Sequence, residues 1–194
     1  MADGSINLTN QFLIAMPGMA DGTFSGAVVY LCEHTEKGAL GLVINKPIDI
    51  TLKSLFEKVE LSLDRDDLAE VPVYFGGPVQ TERAFVLHAP LSDGAEGGPY
   101  NSSLKVEGGL EMTTSKDVLE AISSGAGPKK VLVTLGYSGW GAGQLEEEMS
   151  RNGWINVGAE RGIIFDTPVE KRYEKALSLL GIDARMLSQE AGHA

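Results

Sequence analysis

Cysteine is almost missing from this chain. Cys32 is the one thiol in 194 residues, so no disulfide can close within it, and a reducing, cytoplasmic setting is expected. Long apolar runs are missing too. None approaches the roughly 20 residues that span a bilayer, so no membrane contact is expected. The start, Met1-Ala2-Asp3-Gly4-Ser5, has neither the basic flank nor the apolar stretch of a secretory leader. Basic charge is scarce, with 16 Lys and Arg against 27 Asp and Glu and a net charge of −11. Nucleic-acid binders draw much of their affinity from clustered cations on phosphates. Here the densest basic spots, Lys129-Lys130 and Lys171-Arg172, are pairs rather than patches. Direct nucleic-acid binding is therefore disfavoured. With one cysteine, few histidines and no CxxC or HExxH, no metal site is expected, and no motif calls for a cofactor.

What is present describes a globular chain. Hydrophobic residues make up 43% and charged residues 22%, enough to build one domain over residues 1–194, with a loose tail from about 186. The 24 glycines are scattered and mark turns. Short apolar or alternating runs predict strands at Gln11–Met16, Gly26–Cys32, Gly38–Ile44, Val71–Phe75, Ala84–His88, Lys130–Leu135, Trp154–Val157 and Ile163–Phe165. Pro47 should end the strand before it. Leu104–Glu107 and Leu110–Thr113 read as a hairpin through Gly108-Gly109. Helical spacing marks Leu52, Leu55, Phe56 and Val59, and a helix capped by Thr114 or Ser115 should run to Ile122. Another helix starts near Gln144. Thr167-Pro168-Val169-Glu170 has the form of a capping box before a last helix ending at Gly181. Residues 92–102 are the expected mobile loop. Strands outnumber helices and most connections are short, which predicts an α+β domain with a largely antiparallel sheet and flanking helices.

Three places could carry chemistry. Cys32 and His34 are two apart on a strand, a spacing that puts both side chains on one face about 6.5 Å apart along the chain. A nearby imidazolium would lower the thiol pKa. The alternative is a small core residue at a strand end, with His34 opening a polar turn. The run Gly136-Tyr137-Ser138-Gly139-Trp140-Gly141-Ala142-Gly143 reads as a glycine turn between strand and helix. It lacks the Gly-Lys-Ser/Thr ending of a phosphate loop, and Glu146, Glu147 and Glu148 would repel an anion there. Tyr137 and Trp140 on such a turn could anchor a partner, or Trp140 could fold back over its own core. His88 closes a strand before Ala89-Pro90, a position that suits a hydrogen-bonded structural residue or a group adjacent to Cys32. His193 falls on the tail.

Several segments taken together, in order along nearly the whole chain, resemble the bacterial YqgE/AlgH family. They are Phe12–Pro17, Cys32-Glu33-His34, Gly38–Pro47, Gly76-Gly77-Pro78-Val79, Thr113-Thr114-Ser115, Leu135–Trp140 with Gly143–Glu146, and the terminal Gly192-His193-Ala194. Departures are small: Ser138 stands where that family usually has alanine, and Ala84 where glycine commonly follows arginine. The resemblance implies a bifurcated sheet curled into a pseudo-barrel in one cytoplasmic domain, with no established reaction. One branch is labelled a transcriptional regulator of alginate synthesis. The leading expectation is a non-enzymatic domain that acts through an unidentified protein partner. Its candidate surface comprises Asn45, Lys46, Pro47, Gly76, Gly77, Pro78, Tyr137, Trp140 and Gln144. The rivals are a redox-responsive protein using Cys32 with His34, and a DNA-binding regulator.

Overall fold

The computed structural model describes residues 7–17, 22–90, 100–106, 109–125 and 127–182. In chain order the strands and helices are β1 (Gln11–Ala15), β2 (Val28–Thr35), β3 (Gly38–Val43), β4 (Pro47–Thr51), α1 (Leu52–Lys58), β5 (Pro72–Phe75) and β6 (Val79–His88). They continue with β7 (Ser103–Lys105), β8 (Glu111–Thr113), α2 (Lys116–Ser123), β9 (Val131–Gly141), α3 (Gln144–Ser150), β10 (Trp154–Gly158), α4 (Arg161–Phe165) and α5 (Arg172–Ser178). The main sheet runs β10-β1-β2-β3-β9-β6-β8-β7, with β4 and β5 on a side branch. Every described pairing is antiparallel except β5 with β9. The sheet curls into a half-barrel, and with its five helices it gives the expected α+β domain.

The fork lies on β9. Its first half carries β5 through Tyr74↔Thr134 and Phe75↔Leu135, its second half carries β3 through Gly38↔Gly141 to Gly41↔Ser138, and β6 lies along its other edge. Where strands part, backbone groups lose their ladder partners and need others. Gly76 supplies them: its N–H donates to Leu135 O (3.0 Å), and its carbonyl accepts from Val43 N–H (2.9 Å) and the Ser138 hydroxyl (3.0 Å).

Both faces of the sheet are covered, which is why β2 reads as one apolar run. One face, with Phe12, Ile14, Tyr30, Cys32 and Leu42, packs beneath Ile163, Ile164, Ala176 and Leu177 of α4 and α5. The opposite face buries Leu13, Val29, Leu31, Trp140 and Trp154 with Leu145 of α3. A third cluster joins α1, α2 and the β5–β6–β9 side.

Several expectations are corrected. Ile163–Phe165 is helix α4, because three apolar residues carry no period long enough to separate strand from helix. Residues 136–141 continue β9, so only Ala142 and Gly143 form the turn before α3. Strand β2 runs on through His34 to Thr35, so His34 opens no turn. Pro47 begins β4 instead of merely closing β3. Thr167 makes no capping box, since its hydroxyl donates back to Gly162 O (3.1 Å) and a 3₁₀ turn follows. Ser115 takes the N-cap position of α2 without a side-chain cap bond, its hydroxyl donating to Asp117 instead. The hairpin strands are present as β7 and β8, whereas Gly108, most of the expected mobile loop and the tail with His193 lie outside the described residues.

Candidate functional site

The spacing argument for a Cys32–His34 pair fails on one irregularity. Against β3, Leu31 pairs with Gly41 and Glu33 with Leu40, leaving Cys32 as the extra residue of a β-bulge. A bulge reverses the alternation of side chains beyond it. Cys32 therefore stays in the cluster with Tyr30 and Leu42. His34 pairs with Ala39, whose contacts are with the opposite face. The thiol and the imidazole point to opposite sides of the sheet.

Cys32 is 1% exposed and its thiol donates weakly to Tyr30 O (3.8 Å). Burial pushes its pKa far up, and the Glu33 carboxylate acts in the same direction. A nucleophilic thiolate needs the reverse. His34 is bound on both ring nitrogens. Leu8 N–H donates to Nδ1 (3.1 Å), so the proton sits on Nε2 and is donated to Glu146 Oε2 (3.0 Å). Its role is to tie β2 to α3.

His88 is fully buried on the far side of the sheet. The Ala89 carbonyl can only accept, so Nδ1 is the protonated nitrogen (2.9 Å). Nε2 then accepts from the Thr113 hydroxyl (2.8 Å), which in turn accepts from Ser103 (2.6 Å). Beside this chain, and directly across from His88 in register, Glu111 is 5% exposed and its Oε1 has no hydrogen-bond partner. Among the described residues, no group of three or more His, Cys, Asp and Glu is placed to hold a metal ion.

Among the proposed surface residues, Asn45 is a backbone clamp: Oδ1 accepts from Val28 N–H and Nδ2 donates to Gly26 O, both at 2.9 Å. Lys46 donates to Thr23 O (3.1 Å) and Pro47 is exposed at the head of β4. Gly76 and Gly77 are buried at the fork, with only Pro78 beyond them exposed. A Cβ on Gly77 would lie 2.1 Å from the Tyr137 carbonyl carbon, and one on Gly136 would lie 2.3 Å from Gly77 O. These glycines let two backbones touch, so their motifs build the branch point. Trp140 is 6% exposed, stacked with Phe24 and edge-on to Trp154; of the two alternatives read from the sequence, it folds back over its own core. Gln144 is exposed and braces the turn, accepting from Gly141 N–H (2.9 Å) and donating to Glu148 (3.0 Å).

Of the proposed residues, only Tyr137 and Trp140 meet in one depression, beside Leu40, Val79 and Gly139, which were not among the candidates. Half-buried Tyr137 and Leu40, the exposed backbone of Gly139, Val79 and the edge of Trp140 line an open depression of about 390 Å³. Glu33 and Lys37 stand at its margin. Tyr137 is held edge-on by Phe85 at 5.5 Å. Glu146 and Glu148, read from the sequence as charges that would repel an anion, turn out to be the partners of His34 and the tryptophans. Nothing local in the sequence connects those positions.

The AlgH-like domain family, DUF179, matches residues 12–185. A UPF0301 protein of Burkholderia lata is 69% identical over 97% of this chain and 96% of its own length. One from Burkholderia ambifaria matches at the same level. The solution structure of the AlgH protein from Pseudomonas aeruginosa superposes over the whole of both chains with a TM-score of 0.77 and 45% identity. A crystal structure of a protein from Corynebacterium diphtheriae shares the fold at 17% identity and a TM-score of 0.67, covering 88% of this chain and 86% of that one. The forked sheet and the run of motifs that builds it, matched across nearly the whole length, place this chain in the AlgH-like UPF0301 family.

Proposed function

We propose that the domain is a non-enzymatic interaction module whose contact surface is the depression around Tyr137, Leu40, Val79 and Gly139. The observation that carries this reading is the pairing of half-buried apolar side chains with an open, shallow rim at the β3–β9 edge. The groups best suited to chemistry are meanwhile held elsewhere: Cys32 sealed, His34 and His88 bound on both nitrogens. Aromatic anchors on rigid backbone carry much of the energy when protein surfaces meet. The partner is a protein segment with an apolar side chain to set beside Tyr137 and charges to oppose Glu33 and Lys37. We place the domain in the cytoplasm, where a lone thiol stays reduced, and any regulatory effect would run through that partner. Direct DNA contact is not part of the reading, because the net charge of −11 opposes it. No helix among the described residues is long and apolar enough to cross a membrane.

Affinity capture with the wild-type chain and with a Tyr137→Ala, Leu40→Ser variant tests the reading. The wild type should retain a protein that the variant releases, at matched thermal stability. Equal recovery by both would remove this surface.

A further inference from the structure

The two basic pairs of the sequence do not stay pairs. Lys129 and Lys130, just before β9, and Arg172, at the start of α5, line one cleft of about 240 Å³ floored by Tyr74 and Phe165. An adjoining pocket of about 630 Å³ shares Lys129, Lys130 and Phe165 and adds Arg161. In a chain with so large an acidic excess, the fold gathers four cations around two adjoining cavities, three on each.

The cations are positioned, and two of them, Lys129 and Arg161, are largely unspent. Arg65 donates to the carbonyls of Pro128 (2.8 Å) and Lys129 (2.7 Å), fixing the backbone that carries both lysines. Lys130 is paired with Asp166 at 2.7 Å. The Lys129 ammonium has no ion pair or hydrogen bond among the described residues. Arg161 makes one long contact, Nη2 to Gly109 O at 3.4 Å. Arg172 is 7% exposed, donates from Nε to Thr167 O (3.0 Å) and from Nη1 to Ile44 O, and stacks over Tyr74 at 5.0 Å. Its Nη2 has no hydrogen bond among the described residues.

Around the larger pocket, three cations and one carboxylate leave a surplus of two positive charges. That matches a dianion better than a single carboxylate. The remaining walls, Pro90, Pro128 and Phe165, are apolar. We propose that this cleft binds a small phosphate monoester carrying a flat apolar body. Its phosphate sits between Lys129 and Arg161, and its body lies against Phe165. Guanidinium and ammonium groups hold phosphate through charge-assisted hydrogen bonds, and a volume of this size suits a small molecule. The site is separate from the Tyr137 depression and stands without it.

Titration of the isotope-labelled full chain with phenyl phosphate, inorganic phosphate and benzoate tests the proposal. Phenyl phosphate should saturate, shift the amides of 129–130 and 161–166, and bind at least tenfold tighter than either other probe. Arg161→Ala with Lys129→Ala should weaken it at least tenfold, and both residues are exposed, so the fold survives, as an unchanged melting midpoint would confirm. Absence of saturation, shifts confined to other regions, benzoate or inorganic phosphate binding as tightly, or an undiminished double variant would each overturn it.

Discussion

Trp140 and Trp154 stand edge to face with ring centroids 6.0 Å apart, and both indole N–H groups end on one atom, Oε1 of Glu148 (3.0 and 2.9 Å). The other oxygen of that carboxylate accepts from Gln144 (3.0 Å), and Phe24 stacks on Trp140. One glutamate of α3 thus fastens β9 and β10 together on the outer face of the sheet. Tryptophan can be buried only where its N–H finds an acceptor, and here two find the same one.

Glu148→Ala should therefore cost about 2–6 kcal/mol, because it strands two largely buried donors at roughly 1–3 kcal/mol each. Glu148→Gln keeps an acceptor oxygen and should lose less than half of that. Urea unfolding followed by tryptophan fluorescence measures both. A Glu148→Ala midpoint equal to wild type would show that the indoles are satisfied by water.

How far the sequence reaches can be judged at particular positions. Gln11–Ala15, β2 and β3 were legible because alternating or continuous apolar runs bounded by glycine and proline carry their own signal. Ile163–Phe165 was not, being too short to show a period. The bulge at Cys32 leaves no trace in residue types, and it alone separates the thiol from His34. The Gly76-Gly77-Pro78 and Gly136 motifs were visible, but the backbone contact that explains them joins distant segments. The same holds for Glu146 with His34, and for Lys129, Lys130 and Arg172, which the fold brings to one cleft.

The burial of Cys32 fixes the sign of an alkaline effect. Its folded pKa lies above the ordinary thiol value of 9.0, so the neutral thiol is favoured in the fold. The contribution is complete below pH 9 and is lost as pH rises, because the unfolded chain gives up the proton first, at about 1.4 kcal/mol per pH unit. Tyr30, pushed up to about 12 mainly by burial, adds the same trend above pH 10. Between pH 9 and 10, stability should fall more steeply in the wild type than in Cys32→Ala, after subtraction of their difference at pH 7. Parallel curves would mean that the thiol is solvated. In the folded protein Cys32 should also resist iodoacetamide.

Glu111 presents the opposite case, a polar atom whose removal should help. Its Oε1 is buried without a partner, although His88 and Lys105 lie directly across from Glu111 in the sheet. Glu111→Met should raise stability by about 1–2 kcal/mol, since an unsatisfied buried acceptor carries a desolvation cost of that order. A lower midpoint would show that the carboxylate has a partner under solution conditions.

The fork makes the sharpest demand on a single position. Gly77 has φ +154°, and a Cβ there would lie 2.1–2.3 Å from the backbone of Tyr137 and Ser138, where no side chain can rotate away. Relief requires β9 to move from the Gly76–Gly77 turn, which would break the bonds from Gly76 N–H to Leu135 O and from the Ser138 hydroxyl to Gly76 O. Gly158, at the end of β10, has nothing within 4 Å of its Cβ position. Gly77→Ala should thus cost more than about 3 kcal/mol, in the range reserved for backbone strain and broken buried networks, while Gly158→Ala should stay within about 0.5 kcal/mol. Thermal unfolding of the two variants side by side decides it. A mild Gly77→Ala would mean that the fork is held by side-chain packing rather than by backbone contact.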